Sequence, residues 1–341
     1  VGPVVKPLFR VTADGEDVTA RVADRLLELR ILDAAGIEAD TLSLTLDDRD
    51  ARLAAPPHQS VIRVWLGMQG PLGTPMASVP LTPMGAFRTD DTEITGPTRQ
   101  MRISATAADM SGGIRSPRTR AWEGASLGDI LRTIAGAHSL TPAADAALAA
   151  HAPGFVAQTA ESDLNLLTRL ARRVGGTVKP ADGRLVLARR GAGTAADGTP
   201  LPPVMLAPSD ASKWSWHAAD RGRYASAEAS WTDLGTGAVN KVIVGEGDPR
   251  RVLRHVHATE NEAARAAQAA LADAARGAQT ARINLTRFVP SAFAGARIRF
   301  AEVRPEWAGD WSVHRAHHIL TDRLVTELDL ERPPISPATG A

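Results

Sequence analysis

Ser126 lies in GASLG, residues 124–128, a string of the G-x-S-x-G type. In an esterase-like site such a serine stands at a sharp strand-to-helix turn and attacks a carbonyl. That chemistry needs a strand before the motif and a helix after it. A helical pattern does follow, but RSPRTRAWE before it does not read as a strand. Ser126 with Asp129 three residues on also suits a helix N-cap, and the cap is the expected role. HRAHH, residues 314–318, holds three imidazoles. In an extended strand His314 and His318 share a face and His317 points away, so they do not converge as metal ligands do. No HExxH accompanies them, and solvated strand histidines are expected. DDRD at 47–50 and the Asp14-Gly15-Glu16-Asp17 stretch lack the register of a calcium loop and read as turns. GEGDP at 245–249 has two glycines followed by proline, a turn and not a dinucleotide fingerprint. A glycosidase carboxylate pair is defined by its separation in space and is not legible in a sequence. Trp214 and Trp216 alternate, so they share a strand face that could stack on a sugar; burial in a core is the plainer expectation. Arg169, Arg172, Arg173, Arg189 and Arg190 are expected on a solvated face.

The composition narrows the classes further. Of 341 residues, 44% are hydrophobic, enough to bury substantial cores. Lysine and arginine total 39 against 38 aspartates and glutamates, without the basic excess of a dedicated nucleic-acid binder. There is no cysteine, which excludes disulfides, thiolate metal sites and cysteine nucleophiles. VGPVVKPLFR lacks the layout of a signal peptide, and no apolar run reaches the length of a membrane helix. The chain is read as a soluble protein made in a cytoplasm, with no cofactor.

Three patterns must position these residues. In the first third, period-two alternation predicts strands: Leu27, Leu29 and Ile31 on one face, then Leu42, Leu44 and Leu46 after the Ala34-Ala35-Gly36 turn. Ile62, Val64 and Leu66, and Met101, Ile103 and Ala105, extend the series. After about residue 112 the period becomes helical. Leu127, Ile130, Leu131 and Ile134 form one stripe, and TPAADAALAAHAPGF is a short helical stretch. ESDLNLLTRLARRVGGTVKPADGRLVLARR, residues 161–190, then reads as a helix striped by Leu164, Leu167, Leu170 and Ala171. Ser162 or Asp163 lies near its cap, Gly175-Gly176 ends it, and a hairpin turns at Asp182-Gly183. Residues 191–210, rich in Gly, Pro and Ala, are expected to be a mobile or extended linker. KWSWHA, YASAEASWTDL and NKVIVGEG restore strands. Thr259 and Glu262 then cap an alanine-rich helix, and ARINLTRF, ARIRFAEV, DWSVHRAHHIL and RLVTELDLER close the chain.

This order of signals resembles the late control D protein family of contractile phages. Those proteins form the tail baseplate hub and are related to the base of the type VI secretion spike. The likeness rests on several pieces in series. DRLLELRILDAAGIEADTLSLTLDDRDARLAAPP is similar to the family's first barrel hairpin, followed by VWLGM, and AWEGASLGDILRTIAGAHSLTP to its helical segment. QTAESDLNLLTRLARRVGGTVKPADGRLVLAR is the most specific piece; ASWTDLGTGAV, the helix at 260–276 and the closing strands also fit.

The resemblance implies a mainly β fold with an α/β insert. A first tube-like antiparallel β-barrel would span 1–112, a helical and α/β hairpin module 113–205, and a second barrel with one inserted helix 206–341. Glu161, Ser162, Asp163, Leu167, Arg169, Leu170, Gly183 and Leu185 carry the family's motif as structural residues, with Glu161, Asp163 and Arg169 making charge-assisted bonds. A homotrimer is implied, adapting the sixfold tail tube to a threefold spike around a central channel. Its partners would be the tube protein, a separate spike protein, other baseplate proteins, and tape-measure protein or DNA in the channel. The place is the virion, after assembly in the host cytoplasm. The chain runs only to SPATGA after its last strand, so the spike is expected to be another polypeptide. The competing readings are a tail-tip cell-wall hydrolase, through Ser126 or a carboxylate pair, and a glycan-binding tail protein, through Trp214 and Trp216.

Overall fold

The structure is a computed structural model describing residues 5–36, 38–70, 78–97, 99–108, 113–181, 183–191, 193–194, 199–219, 224–233, 235–301 and 304–332. The first stretch of chain holds β1 (Lys6–Ala13), β2 (Glu16–Asp17), α1 (Thr19–Ala23), β3 (Leu26–Ala34), β4 (Thr41–Asp47), β5 (Val61–Gln69), β6 (Val79–Thr95) and β7 (Gln100–Ala107). The middle holds β8 (Pro117–Glu123), α2 (Leu127–Ala137), β9 (Thr141–Ala144), α3 (Ala146–Ala149), β10 (Phe155–Ser162), α4 (Asp163–Arg173), β11 (Gly176–Ala181) and β12 (Arg184–Arg189). The last stretch holds β13 (Val204–Leu206), β14 (Ala211–Ala218), β15 (Ser226–Thr232), β16 (Val239–Gly245), β17 (Arg250–His257), α5 (Glu260–Ala278), β18 (Gln279–Leu285), β19 (Arg297–Phe300), β20 (Asp310–Leu320) and β21 (Leu324–Glu331).

The chain is mainly β. Strands from both ends belong to one 13-stranded sheet, ordered β14-β18-β21-β20-β3-β4-β7-β6-β5-β1-β2, with β19 also on β20 and β13 on β19. The link between the ends is β20, whose second half pairs with β3 from Arg315↔Ala34 to Leu320↔Leu29. Two cores lie on this sheet. One gathers Leu29, Ile31, Leu42, Leu44, Val64, Phe87, Met101 and Ile103, joined by Phe288 and Leu320 from the far end of the chain. The other gathers Leu206, Ile283, Ile298, Trp311, Val313 and Leu328. Alternate residues of each strand fill them, as the period-two pattern dictates.

The middle segment packs α2 and α4 against two small sheets, β8-β10 and β11-β12-β9, around Leu127, Ile130, Leu131, Leu164, Leu167, Leu170, Val178, Leu185 and Leu187. RSPRTRAWE contributes β8, paired with β10, contrary to expectation. Its pattern is illegible because it is an exposed strand rich in arginine. Thr141–Ala144, expected as helix, is β9, held parallel to β12. The helix begins only after Asp145, whose carboxylate caps α3 by accepting from Ala147 N and Leu148 N.

Three further expectations need correction. Leu27 does not share the Leu29 face: a bulge between Leu26 and Glu28 turns it outward, to 41% exposure. Among the described residues of 191–210, Thr194 bridges Pro200, and β13 pairs in parallel with β19 and buries Leu206, so this span is not merely a linker. Strands β15, β16 and β17 do not join the large sheet. They form their own sheet, covered on one side by α5, with Ala227, Ala229, Ala263 and Ala267 at the contact. Small residues let helix and sheet approach closely there, and RRVLRHVH, unassigned from the sequence, supplies β17.

Candidate functional site

Asp163 is fully buried at the first position of α4, in a setting that would strongly disfavour an unpaired carboxylate. Four groups answer it. Arg120 of β8 donates from Nη2 to Oδ1 at 2.6 Å, and Gln158 of β10 donates from Nε2 to the same oxygen at 2.8 Å. His138, at the end of α2, meets Oδ2 at 2.9 Å, and Arg118 stands 3.6 Å away. Gln158 is itself buried and satisfied: its Oε1 accepts from Arg120 Nε and Trp122 Nε1, and its Nε2 also donates to the Glu161 carbonyl. Arg120 stacks 4.4 Å above the Trp122 ring. Burial pushes the Asp163 carboxyl up, but the bonds from Gln158 and His138 and the charges of Arg120 and Arg118 outweigh it and hold it below 3.8. This network pins β8, β10, α2 and α4 together.

The other motif residues surround it. Ser162 caps α4 by accepting from Asn165 N at 3.2 Å. Glu161 takes a two-pronged bond from Arg169, at 3.0 and 2.7 Å. Leu167, Leu170 and Leu185 are buried in the core of the middle segment. Gly183 has φ +71°, the left-handed conformation that a tight turn asks of glycine; Asp182 lies outside the described residues. Leu166 also faces the core, and Gln158 and Arg120 complete the Asp163 network. The sequence signal for these is faint: Gln158 stands only within the QTAESD piece, and Arg120 sits in β8, whose pattern is illegible.

A second polar node joins all three stretches of chain. Lys179 of β11 donates to Asp33 Oδ1 at 2.6 Å, Asp40 Oδ1 at 2.7 Å and the Ala34 carbonyl at 2.9 Å. Asp33 Oδ2 in turn accepts from Ala294 N at 2.8 Å. Beside the node a cleft of about 1100 Å³, lined by Ile31, Thr177, Phe293 and others, separates the middle segment from the large sheet. The ion cluster bridges the two bodies beside this cleft, in addition to the packing of Ala39 and Ala107 on the core of the middle segment.

The candidate catalytic residues do not assemble. Ser126 caps α2: its Oγ accepts from Asp129 N at 3.1 Å, and the Asp129 carboxylate takes the Ser126 backbone N–H. Ser126→Ala is expected to cost about 1 kcal/mol of stability, read as a shift in urea midpoint; an unchanged midpoint would remove the cap assignment. The histidines of β20 are not uniformly solvated. A bulge between Val313 and Arg315 resets the alternation, and His318 is buried with its Nδ1 3.0 Å from Thr326 Oγ1. Burial holds its imidazole down, at about 4. Among the described residues no group of three or more His, Asp or Glu is placed to hold a metal. Trp216 packs on the second core, but Trp214 is 52% exposed, against Trp307. Of the expected solvated arginines, Arg172 and Arg189 are exposed, Arg189 also meeting Asp145, while the partly buried Arg169 and Arg190 pair with Glu161 and with both Asp273 and Glu331.

Among the described residues, the Asp163 and Lys179 clusters tie separate elements together. Residues 85–324 match the profile of the phage tail baseplate hub (GPD) family. The chain belongs to that family. A probable baseplate hub protein of Escherichia phage P2 is 28% identical over 374 residues, spanning 97% of this chain and 94% of that one. A probable hub protein of Escherichia phage 186 is 34% identical over 230 residues, 67% of this chain but only 57% of its own length. Among solved structures, a Neisseria meningitidis tail protein shares the fold with a TM-score of 0.71 at 15% identity, covering 96% of this chain and 97% of that one. A type VI secretion component of E. coli shares it more distantly, with a TM-score of 0.51 at 12% identity over 93% of this chain and 75% of that one. Hub proteins of this family are structural components of the phage tail, and no helix among the described residues is long and apolar enough to cross a membrane.

The Lys179 node is expected to make stability pH-dependent. Burial and the neighbouring Asp33 charge push the Asp40 carboxyl up to about 6 from 3.8, against the pull of Lys179. Between those values the folded chain holds a proton that the unfolded chain has lost. This group's contribution is therefore full below about 3.8 and is lost as pH rises through about 6. Asp40→Asn, which cannot titrate, is expected to reduce the fall in Tm between pH 5 and pH 7. Equal slopes in variant and parent would show that Asp40 is not the titrating group.

Proposed function

We propose that the chain acts without catalysis, as a homotrimeric hub that adapts a sixfold tail tube to a threefold spike carried by a separate protein. Tape-measure protein or DNA would pass through its central channel, and other baseplate proteins would dock outside. One observation supports this reading: the large sheet contains the same arrangement twice. The order β3-β4-β7-β6-β5 is repeated as β14-β18-β21-β20-β19, with every neighbour antiparallel. The bulges repeat too, between Leu26 and Glu28 and between Ala211 and Lys213, and again between Thr89 and Asp91 and between Val313 and Arg315. The sixth position differs, since β1 runs antiparallel to β5 while β13 runs parallel to β19. A chain with two equivalent five-strand units gives six when three copies close a ring, and cyclic closure is the usual arrangement of identical chains. A mass in solution near three times the 36.0 kDa chain is the expected result. A hexamer, or a monomer at every concentration up to the solubility limit, would contradict it.

The geometry gives no comparable support to a hydrolase, because Ser126 is engaged as a cap. For a glycan-binding tail protein the exposed Trp214 is an observation in favour, and its position at a sheet edge has another explanation, below.

A further inference from the structure

We infer that the second half of β6 in one copy pairs, antiparallel, with β14 of the next, with Thr92 opposite Ala218 and Ile94 opposite Trp216. The inference rests on the threefold reading and adds the contact that would close the ring.

Within one chain the two five-strand units meet where β20 of the second pairs with β3 of the first. Only the part of β20 beyond its bulge does so; the part before it is occupied by β19. The counterpart of β20 is β6, whose first part is likewise covered by β5, up to Arg88. Beyond its bulge β6 pairs with β7 on one side, and its other side has no strand beside it among the described residues. The counterpart of β3 is β14, which pairs with β18 and ends the sheet. The chain thus carries one joined pair of edges and one open pair of the same kind. Open edges present unpaired N–H and C=O groups and are templates for strand addition.

The bulges set the register. Counting from its bulge, β20 runs Arg315, Ala316, His317, His318, and β6 runs Asp91, Thr92, Glu93, Ile94. Counting likewise, β3 places Leu29, Ile31 and Asp33 where β14 places Trp214, Trp216 and Ala218. In the joined pair His318 faces Ile31 and Ala316 faces Asp33. Transferred to the open pair, Ile94 faces Trp216 and Thr92 faces Ala218. Two residues further along each strand, Trp214 comes opposite Gly96, which leaves room for the indole.

Exposure carries the comparison. His318 and Ile31 are each 1% exposed, and Leu29 is fully buried. Their counterparts lack that cover: Ile94 is 62% exposed and Trp214 52%. Trp216, the counterpart of Ile31, is only half-buried. A second copy supplies what both edges lack, because each copy holds one of each. Such a contact is head-to-tail, the kind that generates a ring when its rotation closes.

The absence of native cysteine makes the test clean. Residues directly opposite in an antiparallel pair have Cα atoms about 4.5–5.5 Å apart, within disulfide range. The full-length chain carrying Thr92→Cys and Ala218→Cys, mildly oxidised, is expected to give covalent dimers and trimers on a denaturing gel. Thr92→Cys with Lys213→Cys, five positions out of register, is expected to stay monomeric on that gel. Ile94→Lys is expected to weaken association at least tenfold while leaving the Tm of the dissociated chain unchanged. If the uncrosslinked protein has a trimer mass but the in-register pair links no better than the control, this contact is wrong and the threefold reading stands. If the mass is monomeric and no links form, both are overturned.

Discussion

Asp163→Ala is expected to destabilise the folded chain by about 3–5 kcal/mol, the cost of removing one partner from a buried charged network. The carboxylate is the acceptor for Arg120, Gln158 and His138, and none of the three has another anion within the same contact. Without it, Arg120 keeps only Gln158 Oε1 and the Trp122 face, and a guanidinium charge is left partly enclosed. Because the folded-state carboxyl is held below 3.8, its stabilisation is present above that pH and is lost as pH falls through the lowered value. The damage from Asp163→Ala should therefore be full at pH 7 and shrink in strong acid. Urea midpoints at the two pH values measure it. A loss of less than about 0.5 kcal/mol at pH 7, the range of an ordinary surface change, would mean that the network does not secure the middle segment.

Leu167→Ala is expected to cost about 2–5 kcal/mol. Leu167 is fully buried in the core of the middle segment, so its truncation leaves a cavity there. Arg172, exposed in the last turn of α4, should change stability by no more than about 0.5 kcal/mol on replacement by alanine. The pair is informative together, since the residues lie five apart on one helix, one on its buried face and one on its exposed face. If Arg172→Ala proved the more damaging, the apolar stripe would be misplaced, and the arginine face of α4 would be the better candidate for a partner surface.

Residues 161–190 were the most legible part of the chain because several local signals agreed there. Ser162 caps, the leucines keep a helical period, Gly175 and Gly183 adopt positive φ, and Val178, Leu185 and Leu187 alternate into the same core. The strands of the first third were legible for the same reason, except where a bulge shifts the alternation by one residue. Leu27 and the His314–His318 stretch were misread at such points, and no local composition marks a bulge that contains neither glycine nor proline. The segregation of β15–β17 from the large sheet was hidden, because sequence alternation reports a buried face but not which partner buries it. The Lys179 node was hidden too: it joins residues about 140 positions apart, and each of them alone reads as a surface charge.

The most direct test of the account is to image the assembled particle by electron cryomicroscopy. The account predicts three copies of this chain between the last tube ring and the spike, each presenting both five-strand units to the sixfold ring. Six copies in a flat ring, or a single copy, or a position on the outside of the tail away from the channel, would contradict it.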